Sequence, residues 1–275
     1  MKWLIFFIYY CLLALSLADL HAQTNHAQNS YWRDSLTFVN LVDYRWHEWG
    51  NVTFRASVFE KEANFQENVF YLRTDFDFCH FRKRVSFKYA AFEQMIKWQY
   101  LQFDEVSDFG YLKARKGLEI NNSVMRKTTY FWFGEFSDRF CIQNTTFKAD
   151  AAFIESCFDS LSFRQITFAG EAVFNDTKFA GPVIFNGVTC QSHVDFAAAS
   201  FSTRLQFTNV RFGGMVNFAG TALPDTLVID NLESEFTLDF SKSALPVSGN
   251  QKCVLRLSNV KGLKLKLHPC MYVEK

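Results

Sequence analysis

The sequence feature that most constrains the fold is a phenylalanine that recurs every five or six residues. Between residues 168 and 218 the steps alternate between six and five, so the underlying unit is about eleven residues long. An amphipathic helix repeats its apolar positions about every 3.6 residues and a half-buried strand every two, so neither element produces this spacing. The spacing predicts short extended segments that are joined by corners and wound into a coil. The predicted core ladder of this stretch includes Phe174, Phe185, Phe196, Phe207 and Phe218, and Cys190 fills one vacant slot.

Positions around each phenylalanine support this interpretation. The residue two before the ring is small, β-branched or aliphatic, as at Val183, Ala199 and Leu205. Side chains alternate along an extended segment, so this residue and the ring both face inward. A glycine often follows two residues after the ring, where a positive φ is expected at a tight corner. These glycines are Gly170, Gly181, Gly187, Gly214 and Gly220.

The pattern resembles the pentapeptide-repeat family in its Phe-centred form with alternating five- and six-residue steps. The resemblance implies an all-β fold, a right-handed quadrilateral parallel β-helix with four steps and about 22 residues per coil. The family prefers Asn or Asp just before the centre, as this chain has at Asp195 and Asn217, and it prefers Ala where this chain often has Val or Leu. Some members mimic DNA with a strongly acidic surface. The net charge here is +1, so we expect no nucleic-acid partner.

The spacing of the repeat also divides the chain into a coil and two terminal segments. About nine coils are predicted over residues 51–248, with an irregular region around 110–130. The centres there are the weaker residues Ala114, Ile120 and Met125, which favour degraded coils with a protruding loop. Residues 23–50 are predicted to form an N-terminal cap or linker and residues 249–275 a C-terminal cap, because the ends of a repeat stack need covering.

The N-terminus has the features of a targeting segment. Lys2 precedes an apolar run over residues 3–17, and small residues follow at Ala18 and Ala22. This pattern predicts a signal peptide over residues 1–22 and a periplasmic or extracellular protein. An uncleaved membrane anchor is the alternative, although the run is short for a membrane span. We expect no membrane span in the mature chain.

The cysteines suggest one crosslink. Cys79 and Cys190 occupy inward slots, where a cysteine serves as a small apolar filler. Cys253 and Cys270 are a candidate disulfide that would staple the C-terminal cap, because export permits disulfides. No Cys/His spacing typical of metal sites and no catalytic motif occurs, so we expect no metal, no cofactor and no catalytic residues.

Two outward pairs are candidate contact residues. Asp75 and Asp77 flank Phe76, and three basic residues at 82–84 follow one step later. Carboxylates and a basic group on one coil face could perform sugar chemistry, although such a cluster is more often a solvated face. Tyr130 and Trp132 straddle a phenylalanine and could contact a sugar or a protein, with local packing as the equal alternative.

The sequence therefore predicts an exported, non-enzymatic repeat scaffold, a protein- or glycan-interaction module of the cell envelope. The alternative is a carbohydrate-active β-helix enzyme of the polysaccharide lyase or hydrolase type. A homodimer stacked through a chain end stays open, although alternating Leu and Lys at residues 263–267 argues against such stacking.

Overall fold

Short strands separated by tight corners carry the chain around four faces. The computed structural model describes residues 30–246, 252–260 and 262–274, so the predicted signal peptide lies outside the described residues. Strand residues about 22 apart in sequence pair in parallel, as Phe81 does with Phe59 and Phe103. The chain is a right-handed parallel β-helix, as predicted.

Each face is a stack of parallel strands, named here in the order in which the chain crosses them. The first face consists of Ser30–Asp34, Asn51–Arg55, Thr74–Asp75, Ile96–Gln99, Leu118–Asn121, Phe140–Gln143, Leu161–Arg164, Val183–Asn186, the first halves of Arg204–Phe212 and Thr226–Ser234, Cys253–Ser258 and Met271–Glu274. The second consists of Thr37–Phe38, Val58–Phe59, His80–Phe81, Gln102–Phe103, Val124–Met125, Thr146–Phe147, Thr167–Phe168, Thr189–Cys190 and the second halves of the two long strands. The third consists of Val42–Asp43, Ala63–Asn64, Val85–Ser86, Ser107–Asp108, Thr129–Tyr130, Ala151–Ala152, Ala172–Val173, Val194–Asp195, Val216–Asn217, Leu238–Asp239 and Leu265–Lys266. The fourth consists of Glu48–Trp49, Val69–Phe70, Ala91–Phe92, Lys113–Ala114, Glu135–Phe136, Cys157–Phe158, Lys178–Phe179 and Ser200–Phe201.

The coil has eleven turns, because the third face has eleven strands and each turn contributes one of them. Nine of them lie within residues 51–248, which matches the nine predicted coils. The other two, Val42–Asp43 and Leu265–Lys266, lie in the segments that were predicted as caps. The terminal segments therefore continue the parallel stack and add one turn at each end. Eleven layers at the spacing of adjacent strands give a rod roughly 50 Å long.

Residues 110–130 form a regular turn, which differs from the predicted irregular region. Ala114, Ile120 and Met125 are fully buried at the three centre positions. Small or flexible side chains fill these slots without changing the backbone path, because the parallel pairing with the turns before and after holds it.

One corner is shorter than its neighbours. Phe158 pairs with Phe136 at an offset of 22 residues, whereas Leu161 pairs with Phe140 at an offset of 21. The missing residue is therefore at the corner formed by Asp159 and Ser160. This corner accounts for the two successive five-residue steps that end at Phe163 and Phe168.

Inward side chains stack into columns along the coil axis. On the third face, successive ring centroids from Phe65 to Phe218 lie between 4.8 and 5.7 Å apart. The predicted ladder residues belong to two columns. Phe174, Phe196 and Phe218 are in the third-face column, and Phe185 and Phe207 are in the first-face column with centroids 5.3 Å apart. All five are buried.

Corners of two kinds alternate. The corners that follow the first and third faces hold a residue with positive φ every eleven residues, and Gly187 and Gly220 occupy two of them as predicted. Gly170, Gly181 and Gly214 do not have a positive φ, so that part of the prediction was wrong. They lie at the other corners, where a Cβ would collide with backbone atoms of the preceding turn. The glycine there provides space and not a left-handed conformation.

Candidate interaction surface

Three aromatic residues occupy left-handed corner positions on the outside of the coil. Tyr89, Tyr111 and Phe133 have φ values of 61°, 56° and 53°. They are 22 residues apart, so they stack in one outer column where the third face meets the fourth. The centroid distances are 4.6 Å and 4.8 Å. The Tyr89 side chain is exposed to solvent, unlike the inward rings of the core.

A lysine joins this column to the third face. Lys88 Nζ lies 5.0 Å from the ring centroid of Tyr89, 5.5 Å from that of Tyr111 and 5.9 Å from that of Trp132. A cation within about 6 Å of a ring face is attracted by the electrons of the ring, with a free energy of about 0.5–1 kcal/mol at exposed sites. One ammonium group therefore holds three rings from two columns in a fixed arrangement.

The predicted outward pair forms the other side of this surface. The rings of Tyr130 and Trp132 are stacked, with centroids 5.2 Å apart and an interplanar angle of 27°. Trp132 also lies above Gly110, one turn earlier. Its Nε1 is buried and has no hydrogen-bond partner. We call this surface the aromatic cluster, and it consists of Lys88, Tyr89, Tyr111, Tyr130, Trp132 and Phe133.

A smaller column of the same kind lies where the first face meets the second. Phe78 and Tyr100 have φ values of 58° and 57°. Their rings stack with centroids 4.6 Å apart, and both side chains are exposed. The Arg55 guanidinium lies 5.8 Å from the Phe78 ring centroid.

The coil does not need aromatic residues at these corners. At other left-handed corners the chain places asparagine or glycine, as at Asn122, Gly187 and Asn209, or smaller and polar residues, as at Ala56, Glu67 and Gln165. A residue with a Cβ loses about 1–2 kcal/mol in the left-handed conformation, and asparagine is the residue that most readily offsets this. Stacking of one aromatic pair stabilises the folded state by only about 0.5–1.5 kcal/mol. Core packing therefore does not account for the rings of the aromatic cluster.

The structure brings the two predicted carboxylates together but not the basic residues after them. Asp75 and Asp77 line a cleft of about 200 Å³. Asp75 Oδ2 lies 2.7 Å from Arg73 Nε, and Asp77 accepts hydrogen bonds from the backbone and side chain of Gln99 at 3.1 Å. Burial raises the pKa of Asp75, and the Asp77 carboxylate adds to this rise, while Arg73 opposes it.

Two of the basic residues at 82–84 have other partners. Arg82 pairs with Glu60 at 3.0 Å, and Arg84 pairs with Asp108 at 3.2 Å. Neither arginine lines the cleft. The arrangement of acid and base expected for sugar chemistry is therefore not assembled from these residues.

The four cysteines considered in the sequence fall into two groups. Cys79 and Cys190 are buried in the core, and burial raises the pKa of each thiol to about 12. Cys253 and Cys270 are neighbours, because the backbone N–H of Cys253 donates to the carbonyl of Cys270 at 3.0 Å. Both carry free thiols in this structure. The candidate disulfide between them stays a prediction.

The described residues offer neither a metal site nor a membrane-spanning helix. Residues 30–246, 252–260 and 262–274 contain no group of three or more His, Cys, Asp or Glu side chains placed to hold a metal ion. In the same ranges, no helix has the length and apolar character to cross a membrane.

Four members of the aromatic cluster were not identified from the sequence. They are Lys88, Tyr89, Tyr111 and Phe133. These residues lie beside the core positions, and the repeat pattern identifies only the inward rings. The signal that could have found Tyr89, Tyr111 and Phe133 is an aromatic residue two after the centre that repeats every 22 residues, and this signal does not include Lys88. A coil of 22 residues places such residues directly above one another.

Comparisons with known proteins agree with the repeat. The family model described as pentapeptide repeats, in nine copies, matches residues 174–222. None of the curated proteins matches the chain. Among solved structures, full-length QnrB1, a plasmid-mediated fluoroquinolone resistance protein, overlaps with a TM-score of 0.31 and 10% identity, covering 86% of this chain and 93% of that chain.

The family assignment rests on the match to residues 174–222 and on the geometry of the coil. The turn of about 22 residues, the four faces and the inward aromatic columns continue on both sides of the matched segment. Residues 174–222 therefore match the pentapeptide-repeat family, and the same coil continues through the described residues on both sides.

Proposed function

We propose that this protein is an exported, non-enzymatic scaffold of the cell envelope that binds a protein or a glycan through the aromatic cluster. The observation that carries the proposal is the placement of Tyr89, Tyr111 and Phe133 at left-handed corners. The left-handed conformation recurs along the coil, but bulky residues are the least suited to it, and here three of them follow one another in one column. Tyr89 is exposed and Tyr111 and Phe133 are partly exposed, so a contact outside the chain would explain why the column holds aromatic rings.

The coil suits this role because it holds the rings in place. The Tyr111 backbone N–H donates to the carbonyl of Trp132 at 2.8 Å, so the corner column is tied to the third face by the ladder. A surface that is already ordered loses little conformational entropy on binding. Tyrosine and tryptophan supply large, stiff contact areas, which is why both are enriched at interfaces.

Export is part of the proposal and is supported by the sequence alone. The positive residue, the apolar run and the small residues over residues 1–22 are typical of a signal peptide. A scaffold that leaves the cytoplasm meets its partners in the envelope or outside the cell, where proteins and glycans are both abundant. A homodimer through a chain end is a further arrangement that the rod permits.

Crosslinking in the native envelope tests the proposal. The mature chain is incubated with an envelope fraction, crosslinked and captured, in parallel with Trp132→Ala and Lys88→Ala. We expect a specific partner that both variants lose. Tyr272→Ala is the matched control, because it removes an exposed aromatic residue at the far end of the rod. Equal capture by the wild type and by both cluster variants would exclude the aromatic cluster as the contact surface.

The carbohydrate-active enzyme is the second candidate, and one observation favours it. Asp75 has a raised pKa beside a second carboxylate in a cleft, as expected for an acid in sugar hydrolysis. Screening the mature chain on acidic and neutral polysaccharides tests this role. Turnover that Asp75→Ala or Asp77→Ala abolishes would replace the scaffold proposal with the enzyme.

A further inference from the structure

A groove of about 650 Å³ runs along the third face near the C-terminal end of the rod, away from the aromatic cluster. Two large apolar side chains are exposed beside it, Met215 at 57% and Phe236 at 38%. Val173 also lines it. An exposed apolar strip of this kind marks an interaction site more often than a solvated face.

Carboxylates line the same groove. Glu171, Asp195 and Asp239 come from three turns of the third face, and the turn between Asp195 and Asp239 contributes Asn217. Asp195 Oδ1 accepts hydrogen bonds from the backbone N–H of Ala197 and from Asn217 Nδ2, both at 2.9 Å. Asp239 pairs with Lys266 at 3.1 Å, so the end of the groove nearest the C-terminus is neutralised.

The other two carboxylates differ from several acidic residues of the coil. Those acidic residues pair with a basic residue one turn away. Such pairs are Glu60–Arg82, Glu93–Arg115, Asp104–Arg126 and Lys113–Glu135. Within the described part of the chain, Glu171 and Asp195 form no ion pair. The residues that follow Glu171 in its column, His193 and Met215, bring no lysine or arginine.

We propose that this groove binds an extended peptide segment of a partner protein in which lysine or arginine stands next to a large apolar residue. The apolar side chain contacts Met215 and Phe236, and the cation approaches Glu171 and Asp195. Charge complementarity favours this occupant. Two unpaired carboxylates beside an apolar strip repel acidic ligands. A neutral apolar ligand would leave the carboxylates without a cationic partner.

His193 adds a donor on the rim. Its Nδ1 accepts the backbone N–H of Met215 at 3.1 Å, which in the neutral ring leaves the proton on Nε2. Nε2 is then free to donate to a peptide carbonyl. The same hydrogen bond holds Met215 beside the groove, so the apolar and polar parts of the site are positioned together.

Titration calorimetry of the full mature chain with short peptides tests the site. The probe is acetyl-Lys-Leu-Lys-Leu-Lys-amide, and the matched neutral peptide has glutamine in place of each lysine. At about 50 mM salt, where charges are weakly screened, we expect the lysine peptide to bind at least about tenfold more tightly than the glutamine peptide. Spermidine provides the charge without apolar side chains and should bind more weakly than the lysine peptide.

Variants assign the binding to the groove. Glu171→Gln with Asp195→Asn should weaken the lysine peptide about tenfold, and Met215→Ser with Phe236→Ser should weaken it while leaving spermidine unchanged. The matched control is Glu60→Gln with Glu93→Gln, which removes the same charge from other faces and should leave affinity unchanged. Absence of binding, equal binding of the two peptides, or an equal loss in the control would overturn the proposal. These results do not depend on the aromatic cluster.

Discussion

The Trp132 indole lies above the α-carbon of Gly110, one turn earlier, in the space that a Cβ would fill. A Cβ built on Gly110 would collide with Nε1 and Cδ1 of Trp132. The same outward column holds Ala197 farther along the rod, so the column accepts a methyl group where no indole lies above it. Gly110 is therefore needed for the position of Trp132 and not for the coil.

Gly110→Ala should displace Trp132 without unfolding the protein. We expect altered near-ultraviolet circular dichroism, weaker capture of the envelope partner and a free energy of unfolding within about 1 kcal/mol of the wild type, because a side chain can move where the backbone cannot. Combining Gly110→Ala with Trp132→Ala is the control. If the single variant leaves both the spectrum and capture unchanged, the indole does not depend on this glycine.

Phe174→Ala should be strongly destabilising. The ring is buried and stacks between Phe153 and Phe196, with centroids 4.8 and 5.0 Å away. A stacked column cannot collapse around the hole, so we expect a loss of about 3–5 kcal/mol in chemical denaturation. Phe78→Ala is the matched control, because its ring is exposed at a corner. A similar loss in both variants would contradict the division into inward columns and outward rings.

Asp239 should contribute to stability only above its lowered pKa. Hydrogen bonds from the side chain and backbone of Ser241, together with Lys266, lower the pKa of Asp239 to about 2. The unfolded value is about 3.9, so the contribution is present above that pH and is lost as the pH falls toward about 2. Stability of Asp239→Asn, measured by denaturation across this window, should fall less with pH than that of the wild type. Parallel curves would show that the carboxylate is not stabilised in the folded state.

Cys253 and Cys270 should form a disulfide under oxidising conditions, such as those that the proposed export would provide. A disulfide that closes a loop of this length stabilises the folded state by about 3 kcal/mol. We expect mass spectrometry of the unreduced protein to show the crosslinked peptide, and reductant to lower the free energy of unfolding. Alkylation gives the check, because Cys79 and Cys190 are buried with pKa values near 12 and should not react in the folded protein. Prompt alkylation of both Cys253 and Cys270 before reduction would exclude the bond.

The coil could be predicted from the sequence because its period and its core are carried by one residue type. Phe174 and Phe196 are one turn apart in the sequence. Once this register is known, it gives the positions of the other inward residues, including Ala114 and Met125 in the turn that was predicted to be irregular. The aromatic cluster could not be predicted in full. Tyr130 and Trp132 were found because they straddle an inward ring, whereas Lys88 joins rings from separate turns, and its contacts depend on side-chain directions that no spacing specifies.

The free energy of unfolding of the triple variant Tyr89→Asn, Tyr111→Asn and Phe133→Asn tests the account most directly. Asparagine tolerates the left-handed corner, so relief of about 1–2 kcal/mol per residue should offset the lost stacking and cation–π contacts. The account predicts a stability equal to or above that of the wild type in chemical denaturation. A loss of more than about 3 kcal/mol would show that these rings hold the coil together, and the argument for an external contact would fail.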